Sequence, residues 1–350
     1  MVLPRCAPCS SSPPRLQTRS VACGVSVSDL DPCDASHEAG TVQAVNLTDR
    51  CTREQLAIFL AEVLAEAGEL VMALRDSALV VNEKTPHEIV TDADLVADRH
   101  ITTRLLAAHP GVPVFSEEGG KGHRSAALTR WIVDPIDGTT PWVWGNSGFA
   151  MSVALEVDGC VQAGAVYDPV MREFFFAASG HGATRNGASI TTRAGTPLAR
   201  SLLVVDWGNA DEKRAEGLAY FQKFFLPDLV AARVVPQFAP ALGLCRVAEG
   251  RVHGLVCNDT WVEDHAAGAL ILREAGGVVT NFYSRAGFRH REAGVIAAAD
   301  LATHGALCAV VDRYRARGAC GVWQPALARR QPRRSPSAQP LSLTGLTTSA

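Results

Sequence analysis

At 350 residues, 47% hydrophobic and 20% charged, the chain is long enough for one large domain or two smaller ones with a real core. A formal net charge of -3 provides no basic footprint for nucleic acid, and no apolar run approaches the roughly 18 residues that span a bilayer. Ten cysteines are present, but Cys6, Cys9, Cys23, Cys33 and Cys51 fall before or at the edge of the folded region and the rest lack paired spacing, so no disulfide framework is expected and a reducing compartment is the default.

The first stretch, to about residue 30, is rich in Ser, Pro, Arg and Cys and holds no acid before Asp29. It cannot bury a core. Its composition suits an organellar transit peptide as well as a plain disordered tail. On the first reading cleavage is expected within Arg19-Ser20-Val21-Ala22-Cys23, and the address is a plastid or mitochondrion; on the second it is the cytoplasm. From Thr52, an expected cap, Leu56, Phe59, Leu60, Val63, Leu64, Ala67 and Val71 recur at helical spacing. A second helix is expected after Thr91-Asp92-Ala93-Asp94, carrying Ile101, Leu105 and Leu106 and stopping at His109-Pro110-Gly111. Thr91 and Asp92 read as caps.

Val112 to Ser116 reads as a short buried strand ending in Glu117-Glu118-Gly119-Gly120. Two adjacent carboxylates at a strand end are costly to bury without a partner, and a metal is a sufficient partner for Glu117. The stretch Trp131 to Thr140 compresses an apolar strand, an acidic turn and a helix start into ten residues. Pro135 fixes its own φ and holds Asp134 extended on the strand, with Asp137 expected in the turn. Asp-Pro and Asp-Gly are also ordinary turn pairs. As ligands, Asp134, Asp137 and the Ile136 carbonyl can face one point and suit Mg²⁺, while the N–H groups of the helix start suit a phosphate.

A β-rich meander follows, Phe149 to Val157, Val161 to Tyr167 and Glu173 to Ala177, with turns at Asp158-Gly159, Asp168-Pro169 and Asn186-Gly187. From Ser201, strands at Leu202 to Asp206, Ala232 to Val235 and Gly254 to Cys257 alternate with helices around Ala210 to Phe225 and Ala239 to Ala248. Asp264 opens a small-residue helix that ends at Gly276-Gly277, where it serves as a cap or reaches across to a cation. The last strands expected are Val278 to Thr280 and Gly294 to Ala299, before a basic Pro/Ser-rich tail. The expected organisation is a disordered segment over 1–50, a catalytic domain over 51–322 with an α+β half to about 200 and an α/β half from 201, and a disordered tail over 323–350.

Three pieces resemble one family, in order. Phe115-Ser116-Glu117-Glu118-Gly119 resembles its Gly-Glu-Glu element, Trp131 to Thr140 resembles its Asp-Pro-Ile-Asp-Gly-Thr signature, and Asp264-His265-Ala266-Ala267-Gly268 with Glu274-Ala275-Gly276-Gly277 resembles its second signature. The family is the inositol monophosphatase superfamily of Mg²⁺-dependent, lithium-sensitive phosphatases. The resemblance implies a layered αβαβα sandwich, commonly a homodimer, acting on a small phosphorylated metabolite with two or three Mg²⁺ ions. It implies Glu117, Asp134 and the Ile136 carbonyl as ligands of one ion, and Asp134, Asp137 and Asp264 as ligands of a second. It places Thr139 beside the attacking water with Asp94 in the network behind it, and substrate at Asp137, Gly138, Thr139, Thr140 and Asp264. Two departures bear on substrate. Val262 and Glu263 intervene between Trp261 and Asp264, so Glu263 competes as the ligand, and Cys257 stands where inositol-handling members carry a Glu. Inositol monophosphate or another small polyol phosphate is the first expectation, histidinol phosphate or a 3′(2′),5′-bisphosphate nucleotide the second, and an inactive relative acting as a binding protein the third.

Overall fold

The computed structural model describes residues 50–75, 81–85, 88–119, 129–206, 233–236, 239–284 and 287–316. The expected transit segment, the helix expected around Ala210 to Phe225 and the basic tail lie outside these residues. None of the described helices is long and apolar enough to cross a membrane.

Helix α1 (Arg50–Leu74) buries Leu56, Leu60, Val63, Leu64, Ala67 and Val71 as one stripe, the periodicity read from the sequence. It begins two residues before Thr52, so the expected cap sits inside the first turn. Helix α2 (Asp92–Ala108) is headed by Thr91, not Asp92: the Thr91 hydroxyl accepts from the Ala93 amide at 3.2 Å, and Asp94 accepts from the Thr91 amide at 2.7 Å. This reciprocal box satisfies two of the amides that a helix start leaves without partners. Ile101 and Leu105 are buried, but Leu106 is 44% exposed, since it lies about 100° round the helix from Leu105. Strands β1 (Val81–Thr85) and β2 (Glu88–Thr91) form an antiparallel pair that no apolar alternation announces, with Asn82, Glu83 and Lys84 in the first of them.

Seven strands then run in sequence order across one sheet: β3 (Val114–Ser116), β4 (Arg130–Asp137), β5 (Ala150–Val157), β6 (Cys160–Asp168), β7 (Glu173–Ala178), β8 (Ala183–Arg185) and β9 (Ala188–Ile190). Only β3 and β4 are parallel; the rest is the expected meander, turning at Asp158-Gly159 and Asn186-Gly187. A second sheet has the order β11-β10-β12-β14-β13, from β10 (Leu202–Asp206), β11 (Arg233–Pro236), β12 (Gly254–Cys257), β13 (Val278–Asn281) and β14 (Val295–Ala298). Helix α3 (Thr139–Val143) is a single short turn after β4, and α4 (Pro240–Ala248) and α5 (Val262–Glu274) are longer. Helix α6 (Leu301–Ala316) was not expected, because its buried Leu307, Val310 and Val311 are too few to mark a period.

The alternation of side chains along each strand sorts the core into layers. Trp131 and Val133 of β4 and Met151, Val153 and Leu155 of β5 face α1 and α2. Ile132, Ala150 and Ala154 face the other way, onto α4, α5 and the inner side of the second sheet. Leu203, Val205, Val256 and Ile296 on the outer side of that sheet pack under α6. The result is an αβαβα sandwich, with α4 and α5 between the two sheets.

The middle layer is thin because its residues are small. A Cβ added at Gly164 of β6 meets the Ala267 Cα and carbonyl oxygen at 2.9 Å, so the α5 backbone rests directly on the sheet. Gly164→Ala is expected to destabilise the protein by about 1–3 kcal/mol through overpacking. The measurement is the urea midpoint; an unchanged midpoint means that α5 can back away. No framework was expected, and among the described residues Cys245, Cys257 and Cys308 are thiols, but Cys160, the first residue of β6, is disulfide-bonded. The Cys160 partner is not among the described side chains.

Candidate active site

The carboxylates of the central corner reach one place by a bulge in β4. Residues three apart on a regular strand point to opposite faces. Here Asp134 pairs with Ser152 and Asp137 with Ala150, so three steps on β4 match two on β5 and one residue is extra. The extra residue resets the alternation, and both aspartates face the α4/α5 layer. Asp137 is therefore still on the strand, not in the turn expected for it, and both side chains are buried.

Each of these groups is held by backbone. Asp134 Oδ1 accepts from the Ile136 amide at 3.0 Å, and Asp137 Oδ2 accepts from the Ala241 amide at 2.8 Å, the first turn of α4. Helix α4 has no side-chain cap of its own, so Asp137 serves that end from another strand. Gly138 has φ +93°, and a Cβ there would lie 3.1 Å from the Gly148 carbonyl, which leaves glycine as the residue that fits. The Thr139 hydroxyl is 3.0 Å from Asp94 Oδ1 and 3.2 Å from the Ile136 carbonyl oxygen. Asp94 Oδ2 also takes the Thr91 hydroxyl at 2.7 Å, so Asp94 is both a helix box partner and a direct neighbour of Thr139. Thr140 follows on α3, half-buried.

Glu117 comes from the end of β3, where its amide extends the pairing to the Val133 carbonyl at 3.1 Å. Asp264 comes from α5, which starts at Val262; it is the third helical residue rather than the cap, and its carboxylate accepts from the Trp261 amide at 2.6 Å. Glu263 is buried beside it, with its carbonyl accepting from the Ser152 hydroxyl at 3.3 Å. The sites far apart in sequence thus converge. Burial pushes the Asp134 carboxyl well above the usual carboxylate range, and the charges of Glu117, Asp137, Asp264 and then Glu263 push it further. Burial also raises Asp264, with Glu263, Asp137 and Glu117 adding to it against the pull of the Trp261 amide. Asp137 is raised by burial, opposed by the Ala241 amide and reinforced by Asp206 and Glu117.

The donor set fits Mg²⁺. It consists of carboxylates and one backbone carbonyl, hard oxygens whose mutual repulsion a divalent cation relieves. Among the described residues no three acidic, histidine or cysteine side chains already stand at ligand spacing. Carboxylates without a counter-charge repel, and Asp137 and Asp264 each already engage a backbone amide, which accounts for that spacing.

Two neighbours escaped the sequence reading. Asp206, at the carboxyl end of β10, acts on Asp137 and accepts from the Cys257 thiol at 3.5 Å, its register partner on β12. The α4 amides were the other. Parallel neighbours at the carboxyl ends of strands were the available signal, but pairing them required knowing the strand order.

The sequence profile described as the inositol monophosphatase family matches residues 52–316. A protein of Neisseria meningitidis named putative Nus factor SuhB is 33% identical over 236 residues, covering 67% of this chain and 89% of that protein. An inositol-1-monophosphatase of Rhizobium meliloti is 34% identical over 235 residues, 67% of this chain and 87% of that one. Among solved structures, an IMPase of Thermotoga maritima superposes with a TM-score of 0.66 at 28% identity, over 75% of this chain and 98% of its own. With the acidic corner, the layered fold and these likenesses in agreement, the chain belongs to the inositol monophosphatase family.

Proposed function

We propose that the chain is a Mg²⁺-dependent phosphomonoesterase that hydrolyses a small polyol phosphate such as inositol monophosphate. The observation that carries this is the convergence of Glu117, Asp134, Asp137 and Asp264, whose negative charges act on a common buried corner. The bound Mg²⁺ ions, two or three, supply charge neutralisation and Lewis-acid polarisation of water and of the ester oxygens. Glu117, Asp134 and the Ile136 carbonyl would hold one, and Asp134, Asp137 and Asp264 a second, with Glu263 beside Asp264 as the competing ligand.

The chain's own groups do the rest. Asp94 and the Ile136 carbonyl engage the proton of the Thr139 hydroxyl, which leaves that oxygen to accept a hydrogen bond from the attacking water and orient it. The amides of Gly138 and Thr139, with Thr140 next to them, meet the phosphate. The water oxygen bonds to phosphorus while its proton leaves through the Thr139 hydroxyl to Asp94, the ester bond to the alcohol breaks, and the departing alkoxide takes a proton from solvent water. At the alcohol end Cys257 is a poor acceptor, but Asp206 beside it supplies a carboxylate for sugar hydroxyls. That placement favours a polyol over a nucleotide.

The test is released phosphate from inositol monophosphate, histidinol phosphate and a 3′(2′),5′-bisphosphate nucleotide, with Mg²⁺ and with or without lithium. Inositol monophosphate is expected to be cleaved fastest, with lithium suppressing turnover. A faster rate on either alternative reassigns the substrate. Silence on all three overturns the enzyme reading in favour of a binding protein, a role that relatives named Nus factor SuhB keep in view.

A further inference from the structure

Asp264 is the one proposed ligand carried by a helix between the sheets, so something must fix that helix start against the strand that carries Asp134. The side chain of the next residue is the candidate. His265 is fully buried, with Nδ1 2.9 Å from the Thr260 hydroxyl and Nε2 2.8 Å from the His290 backbone carbonyl. A carbonyl only accepts, so Nε2 carries the proton and a neutral ring is left with a lone pair on Nδ1. The Thr260 hydroxyl must then donate to it, which sets both partners in one arrangement.

Each end of this link is anchored. Thr260 is itself fully buried, and its carbonyl accepts from the Gly294 amide at 3.1 Å, at the foot of β14. The His290 side chain donates from Nε2 to Glu156 at 2.9 Å, and Glu156 in turn accepts from Arg130 at 2.6 Å. Arg130 opens β4, the strand that carries Asp134, and Glu156 lies on β5 on the same register pair. A continuous line of buried hydrogen bonds therefore runs from Thr260 through His265, His290 and Glu156 to Arg130. Ser152, facing Asp134 across the sheet, holds the Glu263 carbonyl as a second tie.

Resting on the phosphatase reading above, we propose that Thr260 and His265 are positioning residues that set the distance between Asp264 and Asp134, and so determine the affinity of the ion those two acids share. Neither touches the ion or substrate. They act through the first turn of α5.

The test is Mg²⁺ binding by the full chain, measured by titration calorimetry well below the melting temperature, with folding of each variant checked by circular dichroism. Thr260→Val keeps the shape and deletes the donor; its Mg²⁺ dissociation constant is expected to rise about 10-fold or more, the size of effect seen when a ligand's supporting partner is lost. Thr260→Ser restores the hydroxyl and is expected to bind Mg²⁺ as the native chain does. If Thr260→Val folds poorly, His265→Gln cuts the same link from the other side, keeping a donor for the His290 carbonyl while giving up the acceptor, and the same weakening is expected. Native affinity in a folded Thr260→Val or His265→Gln overturns the proposal and leaves the phosphatase reading standing. A native chain that binds no Mg²⁺ overturns both.

Discussion

Asp134→Asn is expected to abolish Mg²⁺-dependent phosphate release while raising the melting temperature of the metal-free protein. The two effects have one cause. Asp134 is buried, and the leading charges acting on it are those of four other acids, so its carboxyl is raised well above the ordinary value of 3.8. A raised pKa means that the folded chain holds the proton more tightly than the unfolded chain. Stability therefore falls as pH rises from the unfolded value through the folded one, so above its ordinary value the group opposes folding. Asparagine keeps the oxygen that accepts from the Ile136 amide and removes the charge. The metal-free variant is expected to melt a few degrees higher, at roughly 2–4 °C per kcal/mol for a chain of this class. It also loses a carboxylate that would hold Mg²⁺ on the proposed reading: turnover should drop about 10³-fold or more, several kcal/mol at about 1.4 kcal/mol per tenfold. Adding Mg²⁺ should raise the melting temperature of the native chain and leave the variant nearly unmoved. Retained turnover, or a lower metal-free melting temperature, would overturn the ligand assignment.

Glu156→Gln is expected to produce the largest loss of stability. Glu156 is fully buried on β5 and receives Arg130, Arg291 and His290. Burial alone would raise its carboxyl, but the hydrogen bonds from His290 and Arg130, the His290 charge and the hydrogen bond from Arg291 outweigh it and hold the pKa down at about 2. Removing the charge leaves the Arg130 guanidinium, 7% exposed, without its compensating anion. Breaking a buried pair in this way costs about 3–5 kcal/mol, a fall in melting temperature on the order of 10 °C. The pH dependence has a definite sign. A depressed carboxylate contributes its full stability above its ordinary value of 4.5 and loses it as pH falls toward about 2. The urea midpoints of native and Glu156→Gln protein should therefore differ most at neutral pH and draw together near pH 2. Equal midpoints at pH 7 would show that the network contributes nothing net.

Local signals in the chain foretold local structure. The meander was legible because Asp158-Gly159 and Asn186-Gly187 are turn pairs between alternating runs, and both aspartate and asparagine adopt positive φ there, 52° and 49°. The α1 stripe was legible because its period is 3.6. Strands β1 and β2 were not, since they pair mainly with each other and need no apolar face. The Thr139–Asp94 bond spans 45 positions, the Asp137–Ala241 bond 104 and the His290–Glu156 bond 134. No period or turn signal encodes such separations.

The sequence by itself marked the candidate residues: the acids of the central corner and Glu117 stand out by residue type and neighbourhood, where spacing and backbone propensity act within a few positions, and Asp264 by its resemblance to the family's second signature. Only the tertiary structure decided how they meet. The bulge that turns Asp137 to the same face as Asp134, the capping of α4 by a strand carboxylate, the arrival of Asp206, and the buried line from Thr260 to Arg130 all depend on strand order and layer packing. Those are set by burial of the whole chain at once, a long-range free energy that no short stretch contains.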